Sequence, residues 1–221
     1  MTTQTKPIEV YTAATPNGRK ITIMLEELGV PYRVNYIRFA RKEQFTPEFL
    51  KIAPNNKIPA IIDPEGPDGE PISIFESGAI MKYLGLKFGK LYPANQRAQV
   101  KVDEWLFWQV GGFGPFIGQA HHFLHDAPEK LPYAIKRYKD ETARLYRVLN
   151  TQLEGREFVA GDYSIADIAI FGWANRHARH ETNLADYPNV DRWYASMLAR
   201  PGVERGIAAA AEPKPEPQPV A

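Results

Sequence analysis

Residues 8–20, IEVYTAATPNGRK, decide the fold because a short β-branched run passes there directly into a helix start. Thr15 is a good N-cap, and Pro16 suits the first helical position because its missing N–H would have no partner there. Asn17 and Gly18 are weak choices for a first turn unless a polar side chain or a close backbone approach is useful. The stretch lies at the carboxyl end of the predicted strand. In open α/β sheets ligands bind at that edge, beside free N–H groups of a helix N-terminus. The stretch therefore predicts a capped helix and leaves open whether it also holds a ligand.

The residues that follow this stretch predict a small α/β unit. Apolar side chains recur at i, i+3, i+4 and i+7 over residues 21–28, which is the stripe of an amphipathic helix. Residues 32–37 alternate as a strand does, so this strand, helix and strand predict a parallel pair. Residues 58–62 and 72–75 indicate two more strands joined by a turn-rich loop, which predicts an antiparallel hairpin. A further helix is predicted from Ser77 onward.

The pattern changes after residue 91, where strand signals give way to helical ones. Residues 97–110 and 133–153 carry apolar and aromatic side chains at helical spacing. The glycine-rich segment 111–118, GGFGPFIG, is predicted to interrupt the first of these helices. Its glycines do not form a nucleotide-binding loop, because no strand precedes them and no Lys-Ser or Lys-Thr pair follows.

These signals divide the chain into two domains of different class, α/β followed by all-α. Residues 1–91 are predicted to form an α/β domain around a four-stranded mixed sheet, and residues 92–96 a linker. Residues 97–211 are predicted to form an all-helical domain. The final segment 212–221, EPKPEPQPVA, has four prolines and little to bury, which predicts a disordered tail.

Charge and composition exclude several classes of function. The 27 basic and 26 acidic residues leave a net charge of +1 and are interspersed along the chain, which argues against nucleic acid or a membrane surface as a partner. No apolar leader follows Met1 and no apolar run is long enough for a membrane span, so we expect a soluble cytoplasmic protein. The 221 residues include no cysteine, so any sulfur chemistry must use a thiol carried by a ligand.

Two later segments fall at the same edge of the predicted sheet as the opening stretch. In NNKIPAI, residues 55–61, the proline precedes a strand, where the peptide bond can be cis or trans. In FESGAI, residues 75–80, Ser77 can simply cap a helix. Alternatively, Glu76 binds an ammonium group while Ser77 binds a carboxylate, and together they hold a zwitterion. The three segments are more informative together than any one alone.

The combined motifs resemble a known family. VYTAATPNGRK, NNKIPAI and FESGAI, followed by a helical domain, resemble the cytosolic glutathione transferases, whose fold pairs a thioredoxin-like N-terminal domain with an all-α C-terminal one. TPNGRKI, PNNKIPAI and the stretch from WLFWQVGGFGP to GQAHHF are similar to the nu class, a bacterial group related to the yeast prion regulator of nitrogen metabolism. The resemblance covers residues 8–203. It implies glutathione as co-substrate, a helical domain that binds the second substrate, and a homodimer.

The resemblance places the glutathione thiol near Thr15 and Asn17, and its cysteinyl backbone against Ile58, which precedes a cis Pro59. A free thiol with a pKa of ~8.5 is mostly protonated at pH 7, whereas the thiolate is the nucleophile. A hydroxyl or amide that donates to the anion at a helix N-terminus stabilises it. Thr15 and Asn17 are therefore the predicted catalytic residues, since cysteine is absent and Tyr11 lies in the strand run, where a core or sheet-edge position is expected.

The remaining binding residues are also implied by the resemblance. The γ-glutamyl end of glutathione falls to Glu76 and Ser77. Gln44 and Lys57 are implied at the glycyl end, and Arg137 matches an arginine of the helical domain that is a further candidate for the ligand.

Three histidines in the helical domain, His121, His122 and His125, invite a metal interpretation because two of them are one helical turn apart. No acidic residue completes a metal signature, so we expect cleft-lining or structural roles and no metal. Ser164 and Asp167 form a predicted capping box with a folding role.

Three phenylalanines of the same domain, Phe113, Phe116 and Phe123, have two interpretations. An aromatic-lined apolar cleft would suit an electrophile, but aromatic side chains at this spacing are more often part of a core. The sequence leaves the choice between these interpretations open.

The function expected from these observations is glutathione-dependent reduction of disulfides or peroxides, with weaker conjugation of glutathione to electrophiles. The expected partners are glutathione and a small disulfide, peroxide or electrophile. The alternative is a glutathione-binding scaffold or regulator without catalysis, and the intact thiol-facing residues favour the enzyme. An interaction domain of the elongation-factor type is disfavoured because the sequence shows no appended domain.

Overall fold

The computed structural model describes residues 4–213, and its first half is the predicted α/β unit. Its strands and helices, in chain order, are β1 (Ile8–Thr12), α1 (Pro16–Leu28), β2 (Tyr32–Tyr36), α2 (Pro47–Ile52), β3 (Ala60–Asp63), β4 (Ile72–Phe75) and α3 (Ser77–Phe88). The spatial order in the sheet is β2-β1-β3-β4. β1 pairs parallel with β2 and antiparallel with β3, and β3 and β4 form an antiparallel hairpin. The prediction of a four-stranded mixed sheet is confirmed.

The second half of the described chain is helical. Its α-helices are α4 (Gln96–Trp108), α5 (Gly114–His121), α6 (Pro132–Gln152), α7 (Ile165–Ala174), α8 (Pro188–Leu198) and α9 (Pro201–Ala209). Ser164 and Asp167 make the predicted capping box at the start of α7. None of the helices between residues 4 and 213 is long and apolar enough to cross a membrane.

The glycine-rich segment 111–118 does not interrupt the helix, and this prediction is wrong. A π-helical turn, Gln109–Phe113, joins α4 to α5 with helical backbone throughout. Neither Gly111 nor Gly112 has a neighbour that a Cβ would meet, so the run of glycines is compatible with a wider turn of the same helix.

The core of the protein is shared between the two halves. α1 packs against α9 and α7 as well as against α3, so the helix that follows the opening strand lies in the middle of the molecule. Ile21 and Met24 on α1 belong to the same buried cluster as Ile168 and Val203 of the helical half. The apolar stripe of α1 therefore positions both halves around its N-terminus.

Two predicted boundaries shift. β3 begins at Ala60 rather than at residue 58, because Pro59 has no N–H to donate to a strand ladder. The Ile58–Pro59 peptide bond is cis. Ser77 is the first residue of α3 rather than its cap, and Glu76 occupies the N-cap position with no side-chain capping bond. Of the predicted tail, residues 214–221 lie outside the described part of the chain.

Candidate functional site

A cavity of about 560 Å³ opens where the predicted ligand edge of the sheet faces the helical half. The α/β half contributes six of its lining residues, namely Asn17, Lys20, Asn55, Lys57, Glu76 and Ser77. The helical half contributes Gln109, Val110, Gly114, Pro115, Phe116, Gly118, Gln119, Tyr138 and Trp173. The cavity therefore has one wall from each half of the chain.

The N-terminus of α1 is built as the sequence predicts. Thr15 caps the helix, with its Oγ1 accepting from the backbone N–H of Gly18 at 3.0 Å. Glycine is required at position 18, because a Cβ there would approach the Ala13 carbonyl oxygen to 2.2 Å. Since the cap uses only the oxygen of Thr15, its hydroxyl proton stays available to donate to another acceptor.

The amide of Asn17 is oriented by a residue of the helical half. The indole Nε1–H of Trp173 donates to Asn17 Oδ1 at 2.9 Å. An indole N–H is only a donor, so the atom that faces it must be the amide oxygen. The Asn17 NH₂ group is therefore free to donate, on a side chain that lines the cavity at the first turn of α1.

The start of α3 forms the next part of the wall. Glu76 has φ 71° and ψ 114°, a backbone conformation that is unfavourable for a residue with a side chain. Ser77 follows it with its side chain buried, and its Oγ lies 3.4 Å from Lys20 Nζ. The predicted pair for a zwitterion therefore lies in the cavity, on a strained turn at a helix N-terminus.

Lys20 lies at the base of this arrangement. It is 1% exposed, and its ammonium donates to Gln109 Oε1 at 2.7 Å. Burial lowers the pKa of Lys20 to about 7, and the charge of Glu76 opposes that shift only in part. A lysine that is so buried and has no carboxylate in contact is unusual for its residue type.

Of the other predicted site residues, some line the cavity and others lie outside its lining. Lys57 lines the cavity, and Ile58 and Pro59 follow it directly in the chain without being part of the lining. Gln44 lies in a short 3₁₀ turn away from the cavity lining, with its Oε1 buried and unpartnered within the described structure. Arg137 lines a neighbouring cavity of about 680 Å³ instead. The lining thus brings together four of the predicted site residues, namely Asn17, Lys57, Glu76 and Ser77. Thr15, two positions before Asn17, is not part of the lining, and neither are Gln44 and Arg137.

The two cavities are adjacent. Phe116 and Tyr138 line both of them. The rest of the second lining comes from α6 and consists of Tyr133 and charged side chains that include Arg137, Arg144 and Arg147. Phe123 stacks on Tyr138 with ring centroids 5.3 Å apart. The boundary between the cavities is therefore aromatic.

The remaining aromatic candidates are core residues. Phe113 is fully buried and stacks on Trp108 at 5.0 Å. Tyr11 is partly buried and packs against Phe49, which agrees with the sheet position expected for it. Burial raises the pKa of Tyr11, so its hydroxyl stays protonated at neutral pH.

Of the three histidines singled out in the sequence, His121 and His125 have polar partners, whereas His122 packs edge-on against the Phe123 ring. His121 Nε2 is 2.9 Å from His180 Nδ1, and His180 Nε2 is 2.8 Å from the Tyr146 hydroxyl. Burial lowers the pKa of His121 to about 4 and that of His180 to about 3, so both rings are neutral. His125 faces the Arg179 carbonyl oxygen. Over residues 4–213 no three His, Asp or Glu side chains form a group that could hold a metal ion.

Three residues important to the site were missed by the sequence analysis. Lys20 stands inside the quoted stretch but has no signal of burial, since its neighbours in sequence do not show what covers it. Gln109 and Trp173 come from helices whose periodicity indicates only which residues are apolar. Lys20 lies within TPNGRKI and Gln109 within WLFWQVGGFGP, but neither motif assigns these residues a role. Only the packing of the two halves identifies them, together with Trp173.

Comparison with known proteins identifies the family of both halves of the chain. Residues 14–86 match the family model described as "Glutathione S-transferase, N-terminal domain", and residues 113–201 match "Glutathione S-transferase, C-terminal domain". The chain is 50% identical over 202 residues to "Disulfide-bond oxidoreductase YfcG" of Escherichia coli K12, an alignment that covers 90% of this chain and 94% of that protein. It is 32% identical to "Protein URE2" of Eremothecium gossypii over 92% of this chain and 69% of that protein.

Solved structures agree with these sequence relatives. A glutathione transferase family member from Pseudomonas fluorescens, with two glutathione molecules bound, matches with a TM-score of 0.88 and 43% identity, covering 90% of this chain and 92% of that one. A glutathione transferase from Pseudomonas putida, with one glutathione disulfide bound per subunit, matches with a TM-score of 0.88 and 40% identity, covering 91% of this chain and 90% of that one. The chain therefore belongs to the glutathione transferase family, and its relatives lie on the nu-class and Ure2-like side of that family.

Proposed function

We propose that this protein is a glutathione-dependent disulfide-bond reductase and peroxidase that also conjugates glutathione to electrophiles more slowly. The observation that carries the proposal is the Asn17 amide, whose oxygen is occupied by Trp173 so that its NH₂ group donates beside the helix N-terminus. A donor in that position suits a thiolate. The names of the relatives, which include two disulfide-bond oxidoreductases, support the same reaction class.

Thr15 and Asn17 are the proposed catalytic residues. Their task is to lower the pKa of the glutathione thiol, and a shift of ~2 units needs about 2.7 kcal/mol of preferential binding to the anion. A hydrogen bond to a charged group contributes about 1.5 to 3 kcal/mol, and the positive end of α1 adds to it. The Thr15 hydroxyl proton and the Asn17 amide together are therefore of the right strength.

The rest of glutathione is assigned along the edge of the sheet. Ile58 precedes the strand ladder, which begins at Ala60, so we assign its backbone to the cysteinyl residue of glutathione. We assign Glu76 to the γ-glutamyl ammonium group and Ser77 to the adjacent carboxylate. Lys57 lines the cavity as a cation and is assigned to the glycyl carboxylate.

Gln44 and Arg137 lie outside the first cavity and are assigned at its margins. Gln44 has a buried, unpartnered Oε1, and its amide is assigned to the glycyl end. Arg137 lines the adjacent cavity and is assigned to the carboxylates of a second glutathione or of a glutathione disulfide. Relatives solved with two glutathione molecules or one glutathione disulfide support a space of that size.

Because the chain has no cysteine, both thiols of the proposed reaction come from glutathione. The glutathione thiolate attacks one sulfur of a disulfide, so that a mixed disulfide with glutathione forms and the other sulfur leaves as a thiolate that takes up a proton. The thiolate of a second glutathione then attacks the glutathione sulfur of the mixed disulfide. Glutathione disulfide forms and the substrate's second sulfur leaves as a thiol. Two glutathione molecules are thus oxidised for each disulfide reduced, with no thiol from the protein.

The test is turnover by Thr15→Ala and Asn17→Ala with 2-hydroxyethyl disulfide, a hydroperoxide and a chloronitrobenzene. We expect kcat/KM for the disulfide to fall about tenfold to a hundredfold in each variant, since each loses a bond to the anion. Thr151→Ala, an exposed residue at the end of α6, is the matched control. Wild-type rates in both variants would contradict the assignment. Binding of glutathione without turnover by the wild type would instead identify the scaffold described above.

We also propose that the protein is a cytoplasmic homodimer. Phe75 on the edge strand β4 is 39% exposed and Phe107 on α4 is 64% exposed, so apolar area is left for a second copy to cover. Light scattering measures the mass directly. A dimer mass is expected at micromolar concentration, and a monomer at all concentrations would contradict the proposal.

A further inference from the structure

Lys20 is the most unusual ionisable group in the cavity wall. It is enclosed by the start of α3, by the π-helical turn and by α7, and both of its hydrogen-bond partners, Ser77 Oγ and Gln109 Oε1, are neutral oxygen atoms. The side chain is 1% exposed. An unpaired charge in such a position lowers the stability of the folded state, so its presence indicates a role beyond folding.

The position is shaped to hold this side chain. A Cβ at Gly172 of α7 would lie 3.1 Å from Lys20 Cγ and 2.5 Å from the Pro16 carbonyl oxygen. Only a residue without a side chain therefore allows α7 to cover the stem of the lysine. The packing of α7 on α1 directs the ammonium towards α3 and the cavity.

The hydrogen bonds of Lys20 determine what its neighbours offer to a ligand. An ammonium group only donates, so Ser77 Oγ and Gln109 Oε1 must both accept from it. The Ser77 hydroxyl proton and the Gln109 NH₂ group are then left to donate elsewhere. Trp173 has the same effect on Asn17, since it occupies the amide oxygen. The Ser77 hydroxyl and the two amide NH₂ groups therefore offer hydrogen-bond donors to the cavity, and such donors favour an anionic ligand.

We propose that Lys20 is a positioning residue for the γ-glutamyl carboxylate of glutathione: its ammonium orients the Ser77 hydroxyl towards that carboxylate and supplies the charge that balances it. The inference rests on the proposed function, because it uses the assignment of Ser77 to this carboxylate. Lys20 lies within TPNGRKI, one of the motifs that carry the family resemblance, but that resemblance assigns it no role.

Binding and protonation of Lys20 are then linked. Burial lowers the pKa of Lys20 to about 7, so a substantial fraction of the ligand-free protein carries neutral Lys20 above that pH. Of the described groups packed around it, Glu76 is the charged one, while the π-helical turn contributes Gln109 and α7 contributes Gly172. A bound carboxylate favours the charged form, so binding draws a proton onto Lys20.

The test is calorimetric binding of S-methylglutathione, whose blocked sulfur removes the titration of the thiol. Titrations at pH 6.5 to 8.5 in buffers of different ionisation enthalpy count the protons taken up. We expect the wild type to take up a fraction of a proton near pH 7.5 and to bind more weakly as the pH rises. Lys20→Met, a neutral side chain of similar length, should weaken binding about tenfold or more at pH 6.5 and take up no proton.

One control variant and the behaviour of the wild type separate the possible outcomes. Lys90→Met removes an exposed lysine at the far end of α3 and should bind as the wild type does. Unchanged affinity and proton uptake in Lys20→Met would overturn the inference, whereas failure of the wild type to bind S-methylglutathione would overturn the proposed function. If Lys20→Met does not fold, the wild type decides alone, because the absence of proton uptake between pH 7 and 8.5 contradicts a role for Lys20.

Discussion

Lys87 and Lys20 are both largely removed from water, but their hydrogen-bond partners differ in charge. Lys87 on α3 forms an ion pair with Asp63 at the end of β3 and also donates to the carbonyl oxygen of Glu65. Lys20 on α1 has only neutral partners among residues 4–213 and lies against the cavity. The first lysine completes a structural network, and the second keeps its charge available for a ligand.

The pH dependence of the two sites differs accordingly. Burial by itself raises the pKa of Asp63, but hydrogen bonds from Lys87 and Tyr83 outweigh it and the pKa is lowered. Stability from Asp63 is therefore present above the pKa of the unfolded chain and is lost as the pH falls through the folded value. Lys20 has a lowered pKa as well, but it is a base. Its burial therefore lowers stability most at low pH, and the loss disappears at high pH.

The largest effect is expected from breaking the structural pair. Lys87→Met leaves Asp63, which is 0% exposed, without its cation in a buried position. We expect the free energy of unfolding in urea to fall by about 3 kcal/mol. Lys90→Met, three residues along the chain, is the control and should change it by less than about 0.5 kcal/mol. A loss as small as that of the control would show that the pair does not stabilise the fold.

A second prediction concerns the sign of the pH effect at Lys20. The unfolded chain holds this proton up to a pKa near 10.5, whereas the folded chain releases it near 7. Between these values the unfolded state binds more protons, so stability rises with pH. Relative to Lys20→Met, the wild type should gain about 1 kcal/mol per pH unit between pH 7.5 and 9, measured by urea unfolding without ligand. Parallel pH profiles for the two proteins would exclude a lowered pKa at Lys20.

A substitution in α7, the helix that covers Lys20, should perturb this lysine indirectly. Gly172→Ala introduces a methyl group 2.5 Å from the Pro16 carbonyl oxygen, so α7 and α1 must separate. We expect a loss of about 2 kcal/mol of unfolding free energy together with weaker binding of S-methylglutathione. Gly111→Ala is the matched control because no atom lies within 4 Å of its added Cβ. Equal behaviour of the two variants would contradict the close packing around Lys20.

The smallest effect is expected from removing the Trp173 indole N–H, which orients the Asn17 amide. Trp173→Phe retains an aromatic ring against His121 but removes the N–H that fixes the Asn17 amide. Loss of one such bond, about 1 kcal/mol, should lower kcat/KM for a disulfide about fivefold. Trp105→Phe, whose ring packs on Trp108 outside the cavity lining, is the control. An unchanged rate in Trp173→Phe would show that Asn17 is oriented without the indole.

The elements that the sequence predicted well depend on near neighbours in the chain. Thr15 and Pro16 start α1, the alternation of residues 32–37 forms β2, and Ser164 with Asp167 starts α7. Each of these signals lies within a few residues, so local propensity and periodicity are sufficient. The glycine-rich segment 111–118 was misjudged for the same reason: local propensity favours a break, but the π-helical turn that packs against α7 keeps the backbone helical.

The sequence by itself determined the fold class and the capped helix that begins at the edge of the sheet. It also determined that any sulfur chemistry must use a thiol from a ligand, because the chain has no cysteine. Only the tertiary structure decided which atoms face the ligand. Asn17 meets Trp173 across 156 positions of sequence, and Lys20 meets Gln109 across 89. The direction of a hydrogen bond and the burial of a charge depend on residues that are distant in sequence and pack against the side chain. A local sequence pattern does not identify those residues.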